Sequence, residues 1–71
     1  MRFYFDVRDG IPVRDNVGRE FRLVSEAIGY SKKYAADLRA RGGRSDLRVS
    51  VLNEYGTVVH EEPVPKADQV Q

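Results

Sequence analysis

From Arg2 to Arg8 the chain alternates, with Phe3, Phe5 and Val7 on one side and Arg2, Tyr4 and Asp6 on the other. A period of two is that of a strand buried on one face. Asp9-Gly10 then reads as a turn, because glycine accepts positive φ and aspartate bonds to nearby backbone. Ile11–Asp15 is expected to form a short second strand, and Pro12, which lacks an N–H, places it at a sheet edge. The period then changes: Val24, Ala27, Ile28, Ser31, Ala35 and Leu38 recur at spacings of three and four, with Tyr34 at the border. That spacing predicts one amphipathic helix. Ser25 is its expected N-cap, Glu26 suits the positive end of the dipole, Arg39 and Arg41 sit in the last turn, and Gly42-Gly43 stops it. Gly29 weakens the helix by about 1 kcal/mol relative to alanine, and close approach to the sheet is the reason expected for it. Alternation returns over Leu47–Leu52, with Thr57–Glu61 as a hairpin partner.

Two turns share one chemistry. Asp15-Asn16-Val17-Gly18 and Asn53-Glu54-Tyr55-Gly56 each place an Asp or Asn three residues before a glycine between β-like runs. Both suit a type I turn closed by a glycine in the left-handed region. The order is β-β-α-β-β, an α+β fold with one helix on one face of an antiparallel sheet. Its expected core is Phe3, Phe5, Val7, Ala27, Ile28, Ala35, Leu38, Val49 and Val51. A single domain is expected over residues 1–62, with 63–71 (PVPKADQVQ) lacking periodicity and read as a disordered tail.

Composition narrows the chemistry. Seventy-one residues is close to the lower limit for an adequate core. The absence of cysteine excludes disulfides and thiolate metal sites, and a single histidine, His60, makes a poor transition-metal site. No cofactor is expected. No apolar run reaches membrane-spanning or signal-peptide length, so the sequence reads as a soluble cytoplasmic protein with no membrane partner. The net charge of +1 hides a gradient. Residues 1–31 are neutral overall; 32–48 hold Lys32, Lys33, Arg39, Arg41, Arg44 and Arg48 against Asp37 and Asp46; the remainder is acidic.

Taken in order, FYFDVRDG at 3–10, the D-x-x-G-x-E-F run at 15–21, the helix SEAIGYSKKYAADL and L-x-V-x-V-x-N-E-x-G at 47–56 resemble a family of short bacterial proteins. That family, frequent in soil alphaproteobacteria, is classed as a domain of unknown function, and the resemblance spans about residues 2–65. It implies a small α+β domain and carries over no catalytic residue, cofactor or partner. Where the family's helix is expected to hold alanine or leucine, this chain has Gly29, Tyr30 and Ser31. A second similarity, to antitoxins of HicB type, rests on the opening MRFYFDV strand. Those proteins carry a PDLPGC-like run where this chain reads REFRLVSE.

Candidate chemistry is sparse. Asp6 on the outer strand face and Asp9 in the turn offer two carboxylates, but acid–base work needs groups converging on a pocket. The reading for Asp6 is therefore an exposed pair with Arg2 or a cross-strand arginine. Asp15, Asn16 and Glu20, or Asn53 and Glu54, fall short of the oxygen-ligand count of a calcium loop. Ser50 with His60 is the pairing that would serve hydrolase-like chemistry, yet no G-x-S-x-G elbow accompanies it. Gly42-Gly43-Arg44-Ser45 follows a helix, whereas a phosphate cradle precedes one. The chain is thus expected to be no enzyme. Two binding readings stand. The basic residues 32–48, with Tyr4, Tyr30 and Tyr55 for stacking, would serve nucleic acid weakly or an antitoxin-like role. Tyr4, Leu52 and Val59, on the sheet face away from the helix, would serve a protein partner or a second copy of the chain.

Overall fold

A computed structural model describes residues 1–8, 13–42 and 47–65 of the chain. It contains β1 (Arg2–Arg8), β2 (Arg19–Glu20), α1 (Val24–Ala40), β3 (Arg48–Leu52) and β4 (Val58–Pro63). The β-β-α-β-β order and the single antiparallel sheet are those the sequence pattern predicts. The sheet runs β2-β1-β3-β4, so β1 and β3 occupy the centre. Because β1 is antiparallel to both neighbours, β2 and β3 run parallel on either side of it and are joined by α1.

Alternation sets the two faces. Phe5 opposes Val51 and Val7 opposes Val49, while Tyr4 opposes Leu52, Asp6 opposes Ser50 and Arg8 opposes Arg48. The core is formed by Phe3, Phe5, Ala27, Ala35, Val49, Val51 and Val64, with Phe21, Tyr30, Tyr34, Leu38 and Leu47 packed around it. Of the residues expected in the core, Val7, Ile28 and Leu38 are only half-buried. Helix α1 lies over β3 and β4, which leaves the β1 side of the same face to be covered by aromatic rings instead. Phe21 packs at 6.3 Å from Phe3 and 6.1 Å from Phe5, and Tyr30 meets Phe5 edge-on at 4.8 Å.

Several expectations are corrected. Among the described residues the second strand is Arg19–Glu20, and of the expected Ile11–Asp15 strand only Val13 pairs. Within the earlier segment Val13 makes an isolated bridge, exchanging two hydrogen bonds with Val7, and Ile11 and Pro12 lie outside the described residues. The pairing stops because Asp15 takes over: its Oδ2 accepts the Phe5 N–H at 3.1 Å, the donor that a longer strand would have used. The helix begins at Val24 with Leu23 as N-cap, so Ser25 sits inside the first turn. Glu26 does the capping, its Oε1 accepting from the Arg22 and Leu23 N–H groups. Gly42, at φ 89°, closes the other end by donating to the Arg39 carbonyl. Gly29 is exposed with nothing within 4 Å of a built Cβ, so close approach to the sheet does not explain it.

The folded chain also carries past residue 62. Strand β4 runs to Pro63, and Val64, only 2% exposed, donates its N–H to the Leu47 carbonyl and enters the core. A valine between two prolines shows no periodicity, which is why the sequence pattern placed it in a tail. The Asp9-Gly10 turn, Gly43, Arg44, Ser45 and residues 66–71 lie outside the described residues.

Candidate functional site

The open edge of β1 is finished by a single side chain. Besides Phe5, Asp15 accepts the N–H groups of Val17 at 2.9 Å and Gly18 at 3.1 Å through Oδ1. Its own N–H donates to Asp6 Oδ1 at 2.9 Å. Burial pushes the Asp15 carboxyl up, but the three backbone donors and the nearby Arg2 guanidinium outweigh it and hold the group below its ordinary value. Asp6 is therefore no exposed ion-pair partner: it is 3% exposed and used for structure. Arg2 pairs instead with Glu20 at 3.2 Å and donates to the Val17 carbonyl. Gly18, at φ 75°, is pressed between strand and ring; a Cβ there would lie 2.9 Å from both the Phe3 carbonyl and Tyr4 Cε2.

The segment carrying Asp15 straddles the sheet edge and borders a hollow on each side. On the outer face, Tyr4, Asp6 and Leu52 meet Arg14, Asn16 and the Asn53–Gly56 turn around a hollow of about 260 Å³. That turn is built as its sequence suggests, with Asn53 Oδ1 accepting from the Tyr55 and Thr57 N–H groups and Gly56 at φ 82°. On the helix face, a larger cleft of about 520 Å³ opens between β1 and α1. Phe5, Val7, Tyr30 and Tyr34 line it together with Arg19 and with Arg14, which borders both hollows. The Arg19 guanidinium lies over the Tyr30 ring, 4.8 Å from its centre. Burial, with the fields of Tyr30 and Asp15, raises the Tyr34 phenol above its ordinary value despite Arg41, so it stays protonated. The sequence pattern does not reveal this cleft, because Arg14, Arg19, Tyr30 and Tyr34 come from three separate segments. The aromatic pair at spacing four in the helix was its only trace.

The residues expected at a protein interface are partly brought together. Tyr4 and Leu52 are register partners, and the row continues to Val58 rather than Val59, because a bulge shifts the register of β4 beyond Val51. Val58 and Val59 are 45% and 38% exposed, at the open edge of β4. The expected basic patch is spread, and three of its six residues face acids. Lys32 reaches Glu62 at 3.1 Å, Arg41 pairs with Asp37 at 3.5 Å, and Arg48 lies 3.9 Å from Glu61. Lys33 is exposed and Arg39 is half-buried on α1, while Arg44 falls outside the described residues. Tyr55, at the hairpin tip, is 83% exposed.

Serine and histidine do not converge. Ser50, fully buried on the outer face, donates to Glu61 at 3.2 Å, whereas His60 opposes Val51 on the helix face. His60 Nε2 lies 2.8 Å from Glu62 Oε1, so Glu62 meets His60 within β4 and ties the strand to the helix through Lys32. The His60 hydrogen bond lowers the Glu62 carboxyl, burial opposes it, and Lys32 adds to the lowering. Among the described residues no group of three or more His, Asp or Glu is arranged to hold a metal ion. No helix among them is long and apolar enough to cross a membrane. Over residues 2–65 the chain matches the family model of DUF6894, a domain of unknown function. No curated protein and no solved structure matches it.

Proposed function

The chain belongs to the DUF6894 family, whose description carries no activity, and on that premise we propose that it is a non-enzymatic cytoplasmic association domain that pairs with a second copy of itself through β4. One observation carries this reading: β4 is a six-residue strand at the sheet edge with two exposed valines at its start. An edge strand presents unpaired N–H and C=O groups, which natural proteins cover, charge or use for pairing. Charge favours a particular arrangement. Antiparallel pairing about His60 sets Glu61 and Glu62 of one copy alongside the Val58–Val59 end of the other, so like charges stay apart. The symmetry is isologous, as in most small dimers.

Nucleic acid is the weaker reading, since three of the basic residues that would meet phosphate already face carboxylates. An enzymatic reading lacks support from geometry: Ser50 and His60 stand on opposite sheet faces, and Asp6 is buried against backbone. A six-residue edge is short beside the roughly 1,200–2,000 Å² of a standard complex, so a weak dimer is expected. Sedimentation across a concentration series is expected to show dimer at the high end. Val59→Glu, which places a third acid beside Glu61 of the other copy, is expected to leave a folded monomer. A wild-type chain that is strictly monomeric at millimolar concentration rejects the proposal.

A further inference from the structure

We propose that the cleft between β1 and α1 is a binding site for a small anion carrying an aromatic ring, held by stacking on Tyr34 and by the guanidinium groups of Arg14 and Arg19. Size comes first. At about 520 Å³ it falls within the range of small-molecule sites, roughly 300–1,000 Å³. It also exists for a structural reason: α1 lies over β3 and β4, so the β1 end of the helix face is walled by rings and not by a second helix.

The lining then selects the ligand. Tyr30 and Tyr34 stand 6.2 Å apart with their rings inclined at 32°, and Phe5 closes the floor beneath Tyr30. Such a wall favours a flat ring, which stacks on aromatic faces whatever its identity. No ion pair is found for Arg14 or Arg19 among the described residues; Arg19 lies over the Tyr30 ring, and its Nη1 donates to the Tyr30 hydroxyl at 3.4 Å. Among the described lining residues the one carboxylate, Asp15, has both oxygens committed to the N–H groups of Phe5, Val17 and Gly18. Among the described residues, two guanidiniums without an ion pair therefore meet one occupied carboxylate, a balance that favours a carboxylate or phosphate over a cation. Neutral rings lose the charge-assisted bonds, and a bare anion loses the stacking. The inference does not depend on whether copies pair through β4.

The test titrates the wild-type chain with adenosine 5′-monophosphate, 4-hydroxybenzoate, adenosine and inorganic phosphate, following amide NMR shifts. The expected result is saturable movement of Phe5, Gly18, Arg19 and Tyr34 with at least one of the two aromatic anions. Adenosine and phosphate alone are expected to bind about tenfold or more weakly, the size of one charge-assisted hydrogen bond. Response to the nucleotide alone assigns the charge to phosphate, and response to the benzoate alone assigns it to carboxylate. Arg14→Gln and Arg19→Gln, both at exposed positions, are each expected to lower affinity by about tenfold. Failure of both anions to give saturable shifts, equal binding of adenosine and its monophosphate, or undiminished affinity in both variants overturns the proposal. Should a variant not fold, the wild-type comparison of adenosine with its monophosphate decides alone.

Discussion

At the scale of single residues, two glycines with the same name have opposite meanings. Gly18 holds φ 75° under the Tyr4 ring, and a Cβ would collide with the Phe3 carbonyl. Gly18→Ala is therefore expected to lower the unfolding free energy by about 2 kcal/mol or more, read from urea denaturation. Gly29, helical and facing open space, is the reverse case: Gly29→Ala is expected to stabilise the chain by up to about 1 kcal/mol. Asp15 is a third kind of residue, a side chain acting as a strand. Asp15→Ala leaves the Phe5, Val17 and Gly18 donors without their acceptor, at an expected cost of about 2 kcal/mol. Asp15→Asn keeps an oxygen in place and is expected to cost less.

At the scale of elements, β4 does more than close the sheet. Its helix-face side carries His60 and Glu62, and Glu62 ties the strand to Lys32 of α1. Just beyond it, Val64 drops into the core after a backbone bond to Leu47. Val64→Ala is expected to destabilise the chain by about 2 kcal/mol, a large-to-small change at a site that is almost fully closed. With a urea m-value of about 1 kcal/mol per molar for so small a protein, the midpoint drops by about 2 M. A midpoint unchanged in Val64→Ala would return residue 64 to the tail that its proline flanks suggest.

At the scale of the whole molecule, stability is small and acid-sensitive. With roughly 0.05–0.15 kcal/mol per residue typical of globular domains, each change above removes a large share of the total. Asp15 and Glu62 both titrate below their ordinary values in the folded chain. Lowered folded values mean stabilisation that is present above the unfolded carboxylate range and lost as pH falls through the folded values. The urea midpoint is thus expected to hold from pH 7 to about pH 5 and to decline below about pH 4. Asp15→Asn should flatten that decline, because the variant has no charge to lose; an acid limb identical to wild type would exclude Asp15 as a cause.

What the sequence determined by itself follows from periodicity. Alternation in residues 2–8 and 47–52 and the three-and-four spacing between Val24 and Leu38 define β1, β3 and α1, although Val24 itself is 40% exposed. The two Asp or Asn turns closing on Gly18 and Gly56 were legible for the same local reason: glycine accepts the left-handed region. Tertiary structure decided everything that depends on partners distant in sequence. A two-residue strand such as Arg19–Glu20 has no period to read, and exists because β1 offers it an edge next to Phe3. Asp6 was placed outside by alternation and is buried because Asp15 folds across it. Val58 rather than Val59 aligns with Tyr4 and Leu52 because of one bulge. The aromatic cleft arises only where the helix leaves β1 uncovered, since Arg14, Arg19, Tyr30 and Tyr34 meet through the packing of three segments and through no pattern within any one of them.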